Sequence, residues 1–407
     1  MMKKLFWKML EGLRGGSLEV VWADGRREFG DRAAPLRARL NVHRERFFRR
    51  AMMGGETALG EAYMDGDWSS PDLVALVRLA VRNLSRLEQG SIALSALSRL
   101  ADTLAHRTRA NTLAGSSRNI RAHYDLSNEF FRLFLDHGMM YSCAWYESAE
   151  DSLETAQWRK LDRICRKLQL APGDRVLEIG TGWGGFALHA AHHYGCAVTS
   201  TTISREQYAF ARERCAGAPG IEILLEDYRN LRGRYDRIVS IEMFEAVGYR
   251  FYDTFFGACD RLLEPHGSLL LQTITINDQT FPAYRRRSDW IQKYVFPGAE
   301  LASLSGVLAS LARATRLALF HCEDMGAHYA RTLAEWRRRF HAEERAVRAL
   351  GFDDRFLRMW DYYLAYCEGA FLERHISDVQ LLLTKVGNPR ALPGEPWRAT
   401  EMKETVA

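Results

Sequence analysis

The stretch Val176-Leu177-Glu178-Ile179-Gly180-Thr181-Gly182-Trp183-Gly184-Gly185 decides the fold. A short apolar strand, Arg175 to Ile179, runs into a loop with glycine at 180, 182, 184 and 185. Helical sequence follows from Phe186 to Tyr194. Glycine lets the backbone turn tightly between strand and helix and come close to a ligand. Working outward, Ala197 to Ile203 is a β-branched strand and Ser204 to Cys215 a helix. Ile221 to Leu225, Arg237 to Ile241 and Ser268 to Ile276 read as further strands. Strand and helix in alternation predict an α/β fold with a doubly wound, mostly parallel sheet.

Gly180, Gly182 and Gly185 also satisfy the dinucleotide pattern GxGxxG. Two details argue against a nicotinamide cofactor. An acid is required about 20 residues on, at the end of the second strand, and that place holds Ser200, Thr201 and Thr202. Glu178 stands two residues before the first glycine, where a carboxylate repels pyrophosphate. It suits a cationic ligand, such as the methionine part of S-adenosylmethionine.

In front of this region the chain changes character. Ser17 to Trp22 and Arg27 to Phe29 are strand-like, around the turn Ala23-Asp24-Gly25. Leu73, Leu76, Val77, Ala80, Val81 and Leu84 fall on one helical face, with Pro71 and Asp72 as its start. A second helix is expected over 91–105, and the polar stretch 106–118 reads as a linker. Residues 1–118 carry 20 Lys and Arg against 13 Asp and Glu, so the basic excess sits in the front of the chain. With a net charge of only +5 over 407 residues, no nucleic-acid partner is expected. Seven cysteines without a CxxC pair argue against a disulfide framework and a zinc site, and no metal is expected. No signal peptide and no transmembrane run is read, which predicts a cytoplasmic chain.

Several further motifs share one order with a known family. They are His123-Tyr124-Asp125-Leu126-Ser127-Asn128, Met140-Tyr141-Ser142-Cys143-Ala144-Trp145-Tyr146, the glycine loop, and Thr202-Ile203-Ser204-Arg205-Glu206-Gln207. Then come Ser240-Ile241-Glu242-Met243-Phe244-Glu245-Ala246-Val247-Gly248, Tyr294-Val295-Phe296-Pro297-Gly298 and His328-Tyr329-Ala330-Arg331-Thr332-Leu333. In these the chain resembles the cyclopropane fatty acid synthase family of S-adenosylmethionine-dependent lipid methyltransferases. The resemblance covers about residues 119–385. Gly60-Glu61-Ala62-Tyr63-Met64-Asp65-Gly66-Asp67-Trp68 extends it to longer bacterial members with an N-terminal domain.

The resemblance implies a class I methyltransferase fold: a seven-stranded, Rossmann-like sheet with a helical insert over a lipid pocket, plus a small α+β N-terminal domain. It implies domains at 1–105 and 119–390, with a tail over 391–407. By matching position, S-adenosylmethionine would be held by Tyr141, Ser142, Glu178, Gly180, Gly182, Gly184, Thr202, Ile203, Gln207, Asp227 and Tyr228. The implied reaction methylates the cis double bond of an unsaturated phospholipid acyl chain. The resulting carbocation then loses a proton from the new methyl and closes a cyclopropane ring. Bound bicarbonate is the family's candidate base, held here by Cys143, Glu245, Tyr329 and position 272. The better-known members have histidine in the segment Leu271-Gln272-Thr273-Ile274, where this chain has Gln272; a second histidine of theirs corresponds to Ala246. Glutamine donates and accepts but carries no proton at neutral pH. The alternative product is therefore a methyl- or methylene-branched acyl chain. Peripheral contact with an anionic membrane is expected through Arg44, Arg46, Arg49 and Arg50 beside Phe47 and Phe48. A homodimer is expected by analogy alone.

Overall fold

A computed structural model describes residues 1–84, 86–87 and 126–388. The helix expected over 91–105, the linker over 106–118, His123 to Asp125 and the tail over 391–407 lie outside the described residues. The chain divides into two compact units, each assembled from separated segments. The first takes Met1–Leu135, Ile274–Leu304 and Met325–Asp378; the second takes Asp136–Thr273, Ser305–Asp324 and the chain from Val379 on.

The first unit opens on a four-stranded sheet in the order β2-β1-β3-β4. Strands β1 (Ser17–Trp22) and β2 (Gly25–Gly30) form a hairpin that closes at Trp22 and Gly25. Strand β3 (Arg37–Val42) runs parallel to β1, and β4 (Trp68–Ser69) pairs antiparallel with β3. The helix Leu73–Arg82 starts where the sequence places it, because the Asp72 carboxylate accepts from the Ala75 N–H. Phe6, Trp7, Phe47 and Phe48 meet edge to face beneath the hairpin. Asp67 is fully buried and accepts from Arg46 and Arg50. The same unit holds two long helices, Gly326–Ala342 and Asp354–Leu372. The side chain of Asp361 joins them to the front of the chain, accepting from Tyr63 Oη, Arg337 Nε and His341 Nε2 at 2.5, 2.7 and 2.8 Å.

The second unit is built on the seven-stranded sheet β10-β11-β9-β8-β5-β6-β7. Its strands are β5 (Arg175–Ile179), β6 (Ala197–Thr202), β7 (Ile221–Leu225), β8 (Tyr235–Ile241), β9 (Leu263–Ile276), β10 (Leu317–Asp324) and β11 (Ile376–Lys385). From β7 through β6, β5 and β8 to β9 every pairing is parallel. Strands β10 and β11 pair antiparallel, with a register shift that leaves Phe320 as an extra residue on the edge strand. Val176, Val198, Val239 and Leu270 are buried in the centre of this sheet, against Ile164, Phe186 and Ala190 from helices. Strands β5, β6 and β7 step outward one way and β8, β9 the other. The order therefore reverses between β5 and β8, and in open α/β sheets a ligand crevice opens there, beyond the carboxyl ends of the strands.

Candidate active site

Two loops leave the sheet at that reversal. After β5 comes the glycine loop. Gly180 lies at φ +105, and a Cβ there would sit 2.9 Å from the Cβ of Met243. Gly182 lies at φ +53, yet an added Cβ meets nothing within 4 Å. The first glycine is thus required by a neighbour, whereas the second faces open space. Gly184 is the N-cap residue of the helix Gly185–Tyr194.

Glu178 precedes this loop and is 3 % exposed. It accepts a hydrogen bond from Ser200 Oγ at 2.5 Å, and that hydroxyl lies 2.7 Å from Thr181 Oγ1. Burial pushes its carboxyl up to about 8, against the opposing pull of the Ser200 bond and the Lys160 charge. The ammonium of Lys160, itself fully buried, donates to Ser142 Oγ at 2.8 Å. Gln157 Nε2 donates to the Ser142 carbonyl at 2.7 Å. The Asp136 carboxylate accepts from the N–H groups of Gly138 and Met140, which sets the turn that delivers Tyr141, Ser142 and Cys143.

At the end of β6, Thr202 Oγ1 donates to Gln207 Oε1 at 3.0 Å, with Ile203 between strand and helix. Ser204 caps that helix by accepting from the Gln207 N–H. After β7, Asp227 accepts two side-chain hydrogen bonds from Arg229, at 2.8 and 2.6 Å. Tyr228 packs edge-on against Phe255.

After β8 the chain turns through Glu242, a non-glycine residue at φ 47. Its Oε1 accepts from the Cys143 N–H at 2.7 Å and from Gln272 Nε2 at 2.8 Å. Gln272 lies on β9 opposite Ile241 and is fully buried; its Oε1 accepts from Gln380 Nε2 at 3.0 Å. Glu245 follows on a single turn of tight helix and accepts from Thr273 Oγ1 at 2.9 Å. The second unit therefore gathers Ser142, Cys143, Glu178, Glu245 and Gln272 from separate stretches of sequence.

S-adenosylmethionine fits this residue set on two observations. The open space at Gly182 admits a ligand against the backbone, and a buried acid at Glu178 gains from a cation beside it. Tyr329, the remaining candidate, belongs to the first unit, where its ring stacks on Phe371 and meets Trp336 edge-on.

Sequence reading missed Glu242, Lys160, Gln157 and Gln380. Gln380 leaves a trace, as a lone amide in the apolar run Val379-Gln380-Leu381-Leu382-Leu383. The others look like ordinary polar residues until the fold brings them inward. Phe47 and Phe48 correct the expected basic and aromatic membrane surface, being 1 % and 2 % exposed. They are core residues, whereas Arg44, Arg46 and Arg49 are exposed beside the acid Glu45. Phe130, Phe131 and Phe134 likewise pack in an aromatic core with Trp360. Among the described residues, no cluster of metal-ligating side chains occurs and no helix is long and apolar enough to cross a membrane.

A family model described as mycolic acid cyclopropane synthetase matches residues 112–381. The chain is 37% identical over 383 residues to the tuberculostearic acid methyltransferase UfaA1 of Mycobacterium tuberculosis, covering 91% of this chain and 88% of that protein. It is 39% identical over 354 residues to the cyclopropane-fatty-acyl-phospholipid synthase of Escherichia coli K12, covering 86% and 88%. Among solved structures it is similar to the cyclopropane synthase MmaA2 of Mycobacterium tuberculosis, with a TM-score of 0.62 and 32% identity, over 66% of this chain and 98% of that one. The mycolic acid cyclopropane synthase CmaA1, complexed with SAH and CTAB, gives the same four values.

Proposed function

The chain belongs to the mycolic acid cyclopropane synthetase family of S-adenosylmethionine-dependent lipid methyltransferases, and from that premise we propose that it methylates the cis double bond of unsaturated phospholipid acyl chains and closes a cyclopropane ring. The observation that carries this reading is the placement, at the carboxyl ends of the neighbouring strands β5 and β8, of a buried acid suited to a cation (Glu178) and of a second acidic cluster (Glu242, Glu245).

When bound, S-adenosylmethionine supplies a methyl group on a cationic sulfur. Glu178, the loop from Val176 to Gly184, Tyr141, Ser142, Thr202, Ile203, Gln207, Asp227 and Tyr228 would hold it. An alkene is a weak nucleophile, so alignment of the two reactants contributes much of the rate. Methyl transfer leaves a carbocation on the acyl chain, and apolar walls keep it from water. Ring closure needs a base beside the new methyl group. Cys143, Glu245 and Gln272 would hold a bicarbonate in that role. The Cys143 thiol and the Gln272 amide nitrogen are neutral donors that tolerate an anion. Glu245 accepts a hydroxyl proton and so fixes the anion's orientation.

One observation favours a second product. Gln272 has no titratable proton, and its amide is engaged with Glu242 and with Gln380. Proton loss from a neighbouring chain carbon gives a methyl-branched alkene, a hydride shift followed by proton loss from the methyl gives a methylene branch, and the relative named as a methyltransferase rather than a cyclopropane synthase favours such a product. Lipid is met, on this reading, at an anionic membrane surface through the basic front of the chain, and the protein works as a homodimer.

The deciding experiment feeds methyl-deuterated methionine to cells expressing the chain and analyses their fatty acids by mass spectrometry and proton NMR. A saturated product with high-field ring protons and two of the three deuteriums retained supports cyclopropanation. A vinylidene signal, or a methyl branch with its label intact, supports the second reading. Absence of label from the acyl chains defeats both.

A further inference from the structure

Lys167 closes the helix Leu153–Lys167, and its side chain is 0% exposed. The ammonium donates to Glu323 Oε2 and to Gln380 Oε1, both at 2.6 Å. Gln380 is 1 % exposed, in the middle of β11. Its Nε2 donates to Gln272 Oε1 at 3.0 Å, and Gln272 Nε2 donates to Glu242 Oε1 at 2.8 Å. The same carboxylate oxygen accepts from the Cys143 N–H at 2.7 Å. From Lys167 to Glu242 every donor points the same way.

The two ends dictate that direction. An ammonium has only donors, so Gln380 turns its oxygen to Lys167 and its nitrogen inward. A carboxylate only accepts, so Gln272 turns its nitrogen to Glu242. Both demands give one arrangement of the two amides, and each link reinforces the next in a dry interior. Pairing of the lysine alone does not require this. Glu323 already neutralises Lys167 and also accepts from Arg163 at 2.8 and 2.9 Å. Burial lowers the Lys167 amine to about 8 even with Glu323 pulling the other way, so the inward extension serves a group whose charge is held at some cost. An apolar pair in place of two core glutamines costs a fold little.

We propose that Lys167 and Gln380 are positioning residues of the methyl-transfer site. They fix Gln272 with its nitrogen toward Glu242, so that position 272 serves as a donor, and they steady the carboxylate that pins the Cys143 backbone. The proposal rests on the reading of Gln272 and Cys143 as site residues. It assigns a task to the glutamine that replaces histidine: a neutral, one-way donor in place of a group that titrates.

The test is Gln380→Glu in the full-length chain. The introduced carboxylate still accepts from Lys167 but no longer donates to Gln272, so the Gln272 amide is driven to turn over. The expected result is a kcat reduced about tenfold or more, the scale of one charge-assisted hydrogen bond lost near a reacting centre. S-adenosylhomocysteine affinity stays within about twofold of the parent, the thermal midpoint is held, and the ratio of ring to branched product shifts. Adding Gln272→His to that variant recovers most of kcat, because an imidazolium donates at both ends. A folded Gln380→Glu protein with parental kcat and product ratio overturns the proposal. So does a loss mirrored in cofactor affinity and not recovered by Gln272→His. If Gln380→Glu does not fold, Lys167→Gln is read by the same kcat and affinity measurements: a loss of kcat at held affinity supports the proposal, and parental kcat or a loss mirrored in affinity overturns it. A parent chain that transfers no methyl to lipid defeats the functional reading itself, which keeps the two failures distinct.

Discussion

Burial raises the Glu178 carboxyl to about 8, so near neutrality the folded protein holds a proton that the unfolded chain, at about 4.5, has released. Folding stability therefore falls as pH rises from about 4.5 to about 8, because the native state binds more protons there. A cation arriving beside the carboxylate reverses the preference and expels the proton. Cofactor affinity is thus expected to rise with pH up to about 8, with proton release on binding. Calorimetry at pH 7 in two buffers of different ionisation enthalpy reads this directly, and Glu178→Gln should abolish the difference and weaken binding about tenfold to a hundredfold. Identical heats in both buffers for the parent chain would sink the idea. At this scale Glu178 stands out as a candidate by its place before the glycine loop, whereas Glu245 and Cys143 are candidates through the family resemblance. Glu242 did not stand out, because its role depends on an unusual backbone angle and on partners at positions 143 and 272.

Elements carry the next layer. The strands and helices around the glycine loop follow from local pattern, and the capping side chains Asp72 and Ser204 lie where the sequence puts them. Strands β10 and β11 were not legible, since 51 residues separate Asp324 from Ile376 and no hairpin turn announces the pair. Asp361 shows the same limit between helices. Burial alone would raise its carboxyl, but the hydrogen bond from His341, the charge and hydrogen bond of Arg337, and the Tyr63 hydroxyl outweigh it and hold the group at about 2. A depressed carboxylate contributes stability above its unfolded value of 3.8 and loses it as pH falls from there to about 2. The shift corresponds to about 2 kcal/mol at neutral pH. Asp361→Ala leaves the Arg337 charge without its acid and is expected to cost about 3–5 kcal/mol. Guanidinium unfolding at pH 7 measures it; a loss under about 1 kcal/mol would show the knot to be idle.

At the scale of the whole molecule, charge is the property that reaches a partner. The front of the chain is basic and Phe47 and Phe48 are inside, so the proposed contact with lipid would rest on its exposed lysines and arginines. Binding to vesicles rich in anionic lipid is expected to exceed binding to neutral vesicles and to weaken steeply with salt, as screening dictates. Sedimentation with both vesicle types at low and high salt decides it, and equal binding would point to apolar insertion instead. The sequence predicted the basic region but could not say which of its side chains face outward, because composition carries no information about depth.

The edge strand β10 has a further effect. It closes one end of the sheet and leaves Leu319 and Phe320 38% and 49% exposed, a combination that invites another strand to dock. The extra residue at Phe320 breaks the regular spacing of backbone donors and acceptors, and a neighbouring chain finds no straight edge to copy. An offset of one residue, with the acids Glu323 and Asp324 further along the strand, thus blunts this edge against pairing with another chain.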